Sequence, residues 1–303
     1  MSRNNGRVRT CVIFNPTARG EKARRFRRHL DAFASRCTLK LTAAAGDGRR
    51  LAAEAVNEGF EVIAAAGGDG TVNEVLNGLG DIPGGFDQAR LAVLPLGTVN
   101  VFARELGLPM NLKAAWETLL QARETRVDLP WAESAVGGAA QRRYFAQLAG
   151  AGLDARAIEL VQWKLKKKIG PLAYVLAGLD ALRGPLPQIR AAGGGLVGQG
   201  GLVLLGNGRL YGGTFRVFPR ADLRDGRLEV CVFPKVNWLT LARCGPSLLL
   251  RGTLPAGVTQ RFQAESLTLT SESPAPFELD GELVGRLPAT FGIRRSALRV
   301  IVP

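Results

Sequence analysis

The chain has 303 residues, 46% of them hydrophobic, and 40 Lys and Arg against 26 Asp and Glu leave a formal charge of +14. That length accommodates two domains with real cores, and the charge favours anionic partners such as nucleotide, phospholipid or nucleic acid. One histidine and four scattered cysteines argue against a zinc centre, and His29 lies in an arginine-rich stretch far from any nucleophile turn, against a Ser-His-Asp hydrolase.

Thr10 to Asn15 reads as a buried strand, with Cys11 a buried free thiol, and Gly20 to Ala34 as a basic helix. Thr38 to Thr42 reads as a strand and Arg49 to Glu58 as a helix with Leu51, Ala52, Ala55 and Val56 on one face. Val62 to Ala66 is an apolar strand that ends in Gly67-Gly68-Asp69-Gly70-Thr71, after which Val72, Val75, Leu76 and Leu79 recur at helical spacing. Glycines let backbone N–H groups approach an anion, and the helix that follows aims its positive end at the same point. Asp69 alone would repel a phosphate. Beside a divalent cation that bridges it to a polyphosphate, its presence makes chemical sense.

A second unit repeats the pattern. Leu91 to Leu94 is a short apolar strand, Pro95 ends it, and Gly97-Thr98-Val99-Asn100 leads into a helix with Phe102 and Leu106 on its apolar face. Thr98 or Asn100 could simply cap that helix. Two such turns on consecutive parallel strands put phosphate-friendly rims on the edge where open α/β sheets bind ligands. The chain contains no Gly-Lys pair, so no Walker A loop, and any ATP must use these turns. A helix from Leu112 to Ala122 and a strand from Thr125 to Leu129 complete the alternating part.

Beyond Leu129 short β-like runs dominate: Tyr144 to Leu148, Gly201 to Leu205, Thr214 to Phe218, Leu228 to Phe233 and Ser266 to Thr270. Two helical stretches interrupt them, Asp154 to Leu182 (divided at Gly170-Pro171) and Asn237 to Leu250. The expected fold class is an α/β domain with a parallel sheet, residues 1–129, followed by a β-rich, antiparallel, sandwich-like domain, residues 130–290. Gly150-x-Gly152-x-x-Ala155 matches a dinucleotide fingerprint, but it lies in the β-rich half rather than at the first βα turn. Trp163 to Lys168 is either a solvated helix face or a membrane contact. The Asp222 to Arg227 turn is either a plain Asp-Gly hairpin or a Mg²⁺ site using carboxylates and backbone carbonyls. Asp280-Gly281-Glu282 is either a hairpin with exposed acids or the place of a general base for an alcohol attacking a γ-phosphorus. No apolar run approaches the length of a membrane span, and Met1 to Arg9 lacks a signal-peptide core, so a cytoplasmic protein, soluble or peripheral to the membrane, is expected.

Gly67-Gly68-Asp69-Gly70-Thr71 with Pro95-Leu96-Gly97-Thr98-Val99-Asn100-x-Phe102-Ala103-Arg104 resembles the diacylglycerol kinase-type lipid kinases of bacteria, within the NAD kinase/diacylglycerol kinase-like superfamily. Asn15-Pro16, Gly150 to Ala155, Tyr211-Gly212-Gly213, Pro219 to Asp222, Asp225-Gly226 and Leu279 to Glu282 fit that family in order, and the final strand is similar to its usual end. The resemblance implies ATP and Mg²⁺ as cofactors, with Asn15, Thr42, Gly67, Gly68, Asp69, Gly70, Thr71, Val72, Asn73 and Thr98 holding the nucleotide and Asp69 linked to the metal. It implies Glu282 as first choice for the base with Asp280 close behind. It also implies a structural magnesium site at Asp225 with backbone oxygens of Asp222 and Arg227, and residues 291–303 returning to the first domain. The implied partners are a lipid alcohol and an anionic membrane surface, with no nucleic acid; a homodimer is compatible with it. Val101 departs from the family, where many members carry an aspartate. Sphingoid-base or NAD kinase-like activity, or a basic membrane-binding protein without catalysis, are the alternatives left open.

Overall fold

The computed structural model describes residues 8–16, 24, 26, 27, 36–121, 123–136, 139–160, 182 and 184–303. The expected Gly20 to Ala34 helix, for the most part, and the Trp163 to Lys168 cluster and the Gly170-Pro171 break, in full, lie outside the described residues. The chain divides into two units, Met1–Val127 with Ser296–Pro303, and Asp128–Arg295.

In the first unit β1 (Thr10–Phe14), β2 (Thr38–Leu41), β3 (Val62–Gly67) and β4 (Arg90–Pro95) form a parallel sheet in the order β2-β1-β3-β4. All of β3 and nearly all of β4 are buried, the pattern of strands covered on both faces, which is why their sequences are unbroken apolar runs. The helices are α1 (Asp47–Asn57), α2 (Asp69–Asp81), α3 (Gly85–Gln88), α4 (Val101–Glu105) and α5 (Leu112–Gln121). α1 and α2 pack tightly because Gly78 has no side chain: a Cβ there would lie 2.7 Å from that of Ala52. Val12, Phe14, Leu94, Trp116 and Ile301 share one core.

The second unit is antiparallel. After β5 (Glu124–Val136) and β6 (Ala139–Tyr144) come β7 (Leu148–Gly152), α6 (Leu153–Leu160), β8 (Ile189–Gly193), β9 (Leu196–Gly200) and β10 (Leu202–Gly206). The short β11 (Leu210–Tyr211) and β12 (Phe215–Arg216), then β13 (Leu228–Phe233), α7 (Trp238–Arg251), β14 (Gln260–Ala264), β15 (Ser266–Ser271), β16 (Pro276–Leu279), β17 (Glu282–Arg286) and β18 (Ala289–Ile301) follow. One sheet runs β14-β13-β10-β7-β16-β17. The start of β18, β15, β8 and β9 form another antiparallel array. Ala151, Val203, Val230 and Phe277 from the first meet Ile189, Leu267 and Phe291 from the second in a single core, with Phe277 and Phe291 edge to face at 5.7 Å. The fold class is thus the expected one: an α/β unit with a mostly parallel sheet and an antiparallel β unit.

Two sequence expectations need correction. Tyr144 to Leu148 is not one strand: Tyr144 ends β6, Leu148 starts β7, and residues 145–147 are the connection between them. The amides here turn to a side chain instead of a neighbouring strand: Ala146, Gln147 and Leu148 all donate to the Asp280 carboxylate. Thr214 to Phe218 shrinks to the two residues of β12, and Val217 closes a tight turn onto Phe215 at 3.1 Å.

Candidate active site

β1 and β3 lie side by side, yet the chain visits β2 on the far side of β1 before returning to β3, so the strand order reverses between them. Open α/β sheets bind ligands at the carboxyl ends of strands at such a point. Asn15 follows β1 there, and its N–H donates to the carbonyl of Ala66 at 3.2 Å. Thr42 follows β2 and is buried, its N–H on the Phe14 carbonyl at 3.0 Å.

The two glycine turns leave β3 and β4 in contact with each other. Leu96 and Gly97 both donate to the Gly67 carbonyl, at 2.9 and 3.0 Å. A Cβ on Gly97 would lie 2.5 Å from the Cα of Gly68. Gly68 is the N-cap of α2 and supplies no side chain to cap it, and the first helical bond is Val72 to Gly68 at 3.1 Å. With a glycine at the cap, the start of α2 carries no capping side chain of its own, the arrangement on which anion sites at helix starts are commonly built. Asp69 faces the second turn, where its Oδ1 accepts from Phe102 N at 3.4 Å. Asn100 holds that turn's shape from both ends: Oδ1 accepts from Gly97 N at 3.0 Å, Nδ2 donates to Gly97 O at 2.7 Å, and its own φ is 53°. Arg104 is tied to the Val99 carbonyl at 2.9 Å.

Of the residues assigned to the nucleotide, Gly68, Asp69, Gly70 and Thr98 lie at the accessible rim. Thr71, Val72 and Asn73 point inward: Val72 belongs to the core, and Asn73 accepts from Asn77. Glu74 binds the amides of Gly46 and Gly48, both at 2.8 Å, fixing the start of α1 to α2. Val101 is buried, so the job of a carboxylate at that position is not done there.

In the second unit Asp280 and Gly281, with φ of 50° and 88°, form the two-residue turn between β16 and β17. The Asp280 carboxylate is fully engaged in holding that turn. Its Oδ2 accepts from Ala146 N at 2.7 Å, and its Oδ1 accepts from Gln147 N at 2.9 Å and Leu148 N at 3.1 Å. Glu282, two residues on, is exposed. The structure thus separates two acids that spacing alone could not: Asp280 anchors the hairpin, and Glu282 is presented by it.

Sequence reasoning missed a third acid. Glu278 is fully buried in β16, opposite Gly150 of β7. Its Oε2 accepts from Gly281 N at 2.6 Å, gripping the same turn from below. A Cβ on Gly150 would lie 2.5 Å from Asp154 Oδ2 and 2.8 Å from Glu278 Oε1, so the glycine clears space for both carboxyls. The Tyr211 hydroxyl donates to Asp154 Oδ1 at 2.6 Å. Burial first, then the charge of Asp154, pushes the Glu278 carboxyl well above the usual range, and burial also raises Asp154. The pair therefore retains a proton where ordinary carboxylates have lost theirs. The available signal was a glutamate inside the wholly buried run Phe277-Glu278-Leu279.

Metal chemistry is testable on the donor set. Among the described residues no group of three or more His, Cys, Asp or Glu side chains is gathered around one point. A cation at the glycine turns would draw on Asp69 and on the phosphates themselves, which suits Mg²⁺. At the Asp222 turn, Asp225 Oδ1 accepts from Arg227 N at 2.9 Å and Asp225 N donates to the Asp222 carbonyl at 3.3 Å. Burial, together with the charges of Asp222 and Asp128, raises the Asp225 carboxyl. An excess of carboxylate charge beside backbone carbonyls fits a hard divalent cation.

The profile described as the diacylglycerol kinase catalytic domain matches residues 9–132, and that described as the YegS C-terminal NAD kinase beta sandwich-like domain matches residues 147–302. The chain belongs to the diacylglycerol kinase family. It is 30% identical, over 98% of its length and 96% of the relative's, to a protein named diacylglycerol kinase in Staphylococcus saprophyticus. A Staphylococcus aureus protein of the same name is 32% identical over 94% of this chain and 89% of its own. A diacylglycerol kinase structure from Bacillus anthracis, 20% identical, superposes over 98% of this chain and 97% of that one with a TM-score of 0.71, a likeness of fold. The protein is therefore a kinase, and its family implies ATP as the phosphate donor. Among the described residues no helix is long and apolar enough to cross a membrane.

Proposed function

We propose that this kinase transfers the γ-phosphate of ATP to the hydroxyl of diacylglycerol or a similar lipid alcohol. The observation that carries the reading is the direct contact of the two glycine turns at the reversal of strand order, with Asp69 facing the second turn. Relatives named diacylglycerol kinase support the choice of acceptor.

Phosphoryl transfer asks mainly for positioning and charge neutralisation. The amides of Gly68, Asp69 and Gly70 at the start of α2 cradle the phosphates, while Asn15, Thr42 and Thr98 fix the rest of the nucleotide. Gly67, Thr71, Val72 and Asn73 serve by shaping the turn. Asp69 would hold a Mg²⁺, which would supply positive charge against the phosphates. Glu282 takes the proton of the attacking hydroxyl, held in place by the Asp280 anchor and the Glu278 grip on Gly281. A second Mg²⁺ at Asp225, with the carbonyls of Asp222 and Arg227, would stiffen the turn that carries them.

Incubation with radiolabelled ATP, Mg²⁺ and a total lipid extract, followed by mass identification of the labelled product, tests this. Label in a phosphatidic acid is expected. Label confined to a water-soluble product or to a phosphorylated sphingoid base overturns the assignment of the acceptor.

A further inference from the structure

Helix α7 carries two apolar faces, and among the described residues only one of them is covered. Cys244 is its single buried residue, and Leu248 packs beside it against the core formed with Phe218 and Phe233. With about 100° between successive residues, Trp238, Leu239, Ala242, Pro246, Leu249 and Leu250 fall together on the opposite side, and all six are exposed. Leu249 is 79% and Leu250 85% exposed, values that a helix folded only against its own core would assign to polar residues. Asn237 caps the helix through Thr240 N at 2.9 Å, and Gly252 ends it in a left-handed conformation, so the stripe sits on a well-formed helix.

Charge says what covers the stripe. No Asp or Glu occurs between Glu229 and Glu265, a stretch that holds Lys235, Arg243, Arg251 and Arg261. Arg261 is used inside the protein by Glu229. Among the described residues Lys235, Arg243 and Arg251 take part in no ion pair and all three are exposed; Arg243 borders the stripe, Lys235 stands just before the helix, and Arg251 lies on the far side of the last turn. A second copy of this chain meeting the face symmetrically would bring these cations together with no acid from this stretch to pair them. An anionic bilayer surface meets both requirements, taking Trp238 and the leucines at the headgroup boundary and the cations among the phosphates.

We propose that α7 is a membrane-docking helix, laid flat on an anionic lipid surface with Trp238, Leu239, Leu249 and Leu250 inserted and Lys235 and Arg243 on headgroup phosphates. The proposal rests on the lipid-kinase reading for its purpose and on the helix for its location.

Cosedimentation of the full chain with vesicles of equimolar phosphatidylglycerol and phosphatidylcholine, and with phosphatidylcholine alone, is the test. The wild type binds the anionic vesicles and binds the neutral ones far more weakly. The fourfold variant Trp238→Ala, Leu239→Ser, Leu249→Ser, Leu250→Ser loses at least ten-fold in partition with an unchanged melting midpoint, and Lys235→Gln and Arg243→Gln each lose about five-fold. Equal partition of wild type and variants overturns the proposal. So does a dimer-to-monomer shift in sedimentation velocity caused by the fourfold variant without loss of vesicle binding, which would assign the face to a second copy. Phosphorylation of a short-chain diacylglycerol in monomeric solution separates the two readings: its absence in the wild type sinks the lipid-kinase reading, whereas the vesicle result judges the helix alone.

Discussion

Gly97 and Gly68 approach so closely that neither turn could hold its place if Gly97 carried a side chain. The obstacle to a Cβ is the Gly68 backbone at 2.5 Å, with Asn100 Oδ1 at 2.8 Å, and neither can swing aside. Gly97→Ala is expected to cost about 1–3 kcal/mol of stability and to lower kcat/KM for ATP at least a hundred-fold. Isothermal titration with a non-hydrolysable ATP analogue, run beside thermal melts, checks both. Normal nucleotide affinity in the variant would mean the two turns act independently.

Asp280 and Glu282 should fail in different ways. Asp280→Asn removes a charge that accepts three backbone N–H bonds, so it lowers the melting midpoint and loosens the hairpin. Glu282→Gln leaves the midpoint unchanged and reduces kcat by about 10²–10⁴. Paired melting and turnover measurements decide. A fully active Glu282→Gln enzyme removes it as the base.

The proton held by Glu278 and Asp154 gives stability a particular pH dependence. Both carboxyls are raised in the folded state, so from about pH 4 upward the folded protein binds more protons than the unfolded chain. Stability is then fully present below that range and falls as pH rises toward the raised values. Glu278→Gln keeps an acceptor for Gly281 N and a donor toward Asp154 but cannot titrate. Chemical denaturation at several pH values should show a flatter decline for the variant than for the wild type. Identical slopes would mean the pair shares no proton.

Arg261 is the counter-charge of a wholly buried glutamate. Its Nη1 lies 2.8 Å from Glu229 Oε1 and 2.7 Å from the Val217 carbonyl. Arg261→Ala leaves Glu229 unpaired and should cost about 3–5 kcal/mol, with much of that recovered in the double variant with Glu229→Gln. Urea melts of the four proteins measure the coupling.

The glycine-turn end of the first unit was legible because its signals are local. An apolar run, a glycine turn and a 3.6-residue period are contiguous from Val62 to Leu79, and β3 and α2 follow them. The Asn237 to Leu250 helix was readable for the same reason, within one residue at each end. The second unit was harder because its order depends on pairing across distance. β7 joins β16 through Gly150 opposite Glu278, and no sequence period announces that partnership. β14, Gln-Arg-Phe-Gln-Ala, and β17, Glu-Leu-Val-Gly-Arg, are edge strands too polar to be recognised as strands on their own. Tyr144 to Leu148 had the composition of a strand, and its amides were claimed by a carboxylate more than 130 residues away.

The 13-residue strand β18 pairs through Ala289 to Gly292 with β15, while Val300 lies opposite Leu91 of β4. Arg299 meets Glu124 at 2.8 Å, and Val302 donates to Arg123 O at 3.0 Å. During synthesis, then, the ribosome delivers β4 with one hydrogen-bonding edge open and keeps it waiting until the second unit has been translated. A nascent chain of this design exposes an apolar template for aggregation throughout that interval, and shortening the carboxyl end would leave the first unit permanently in that state.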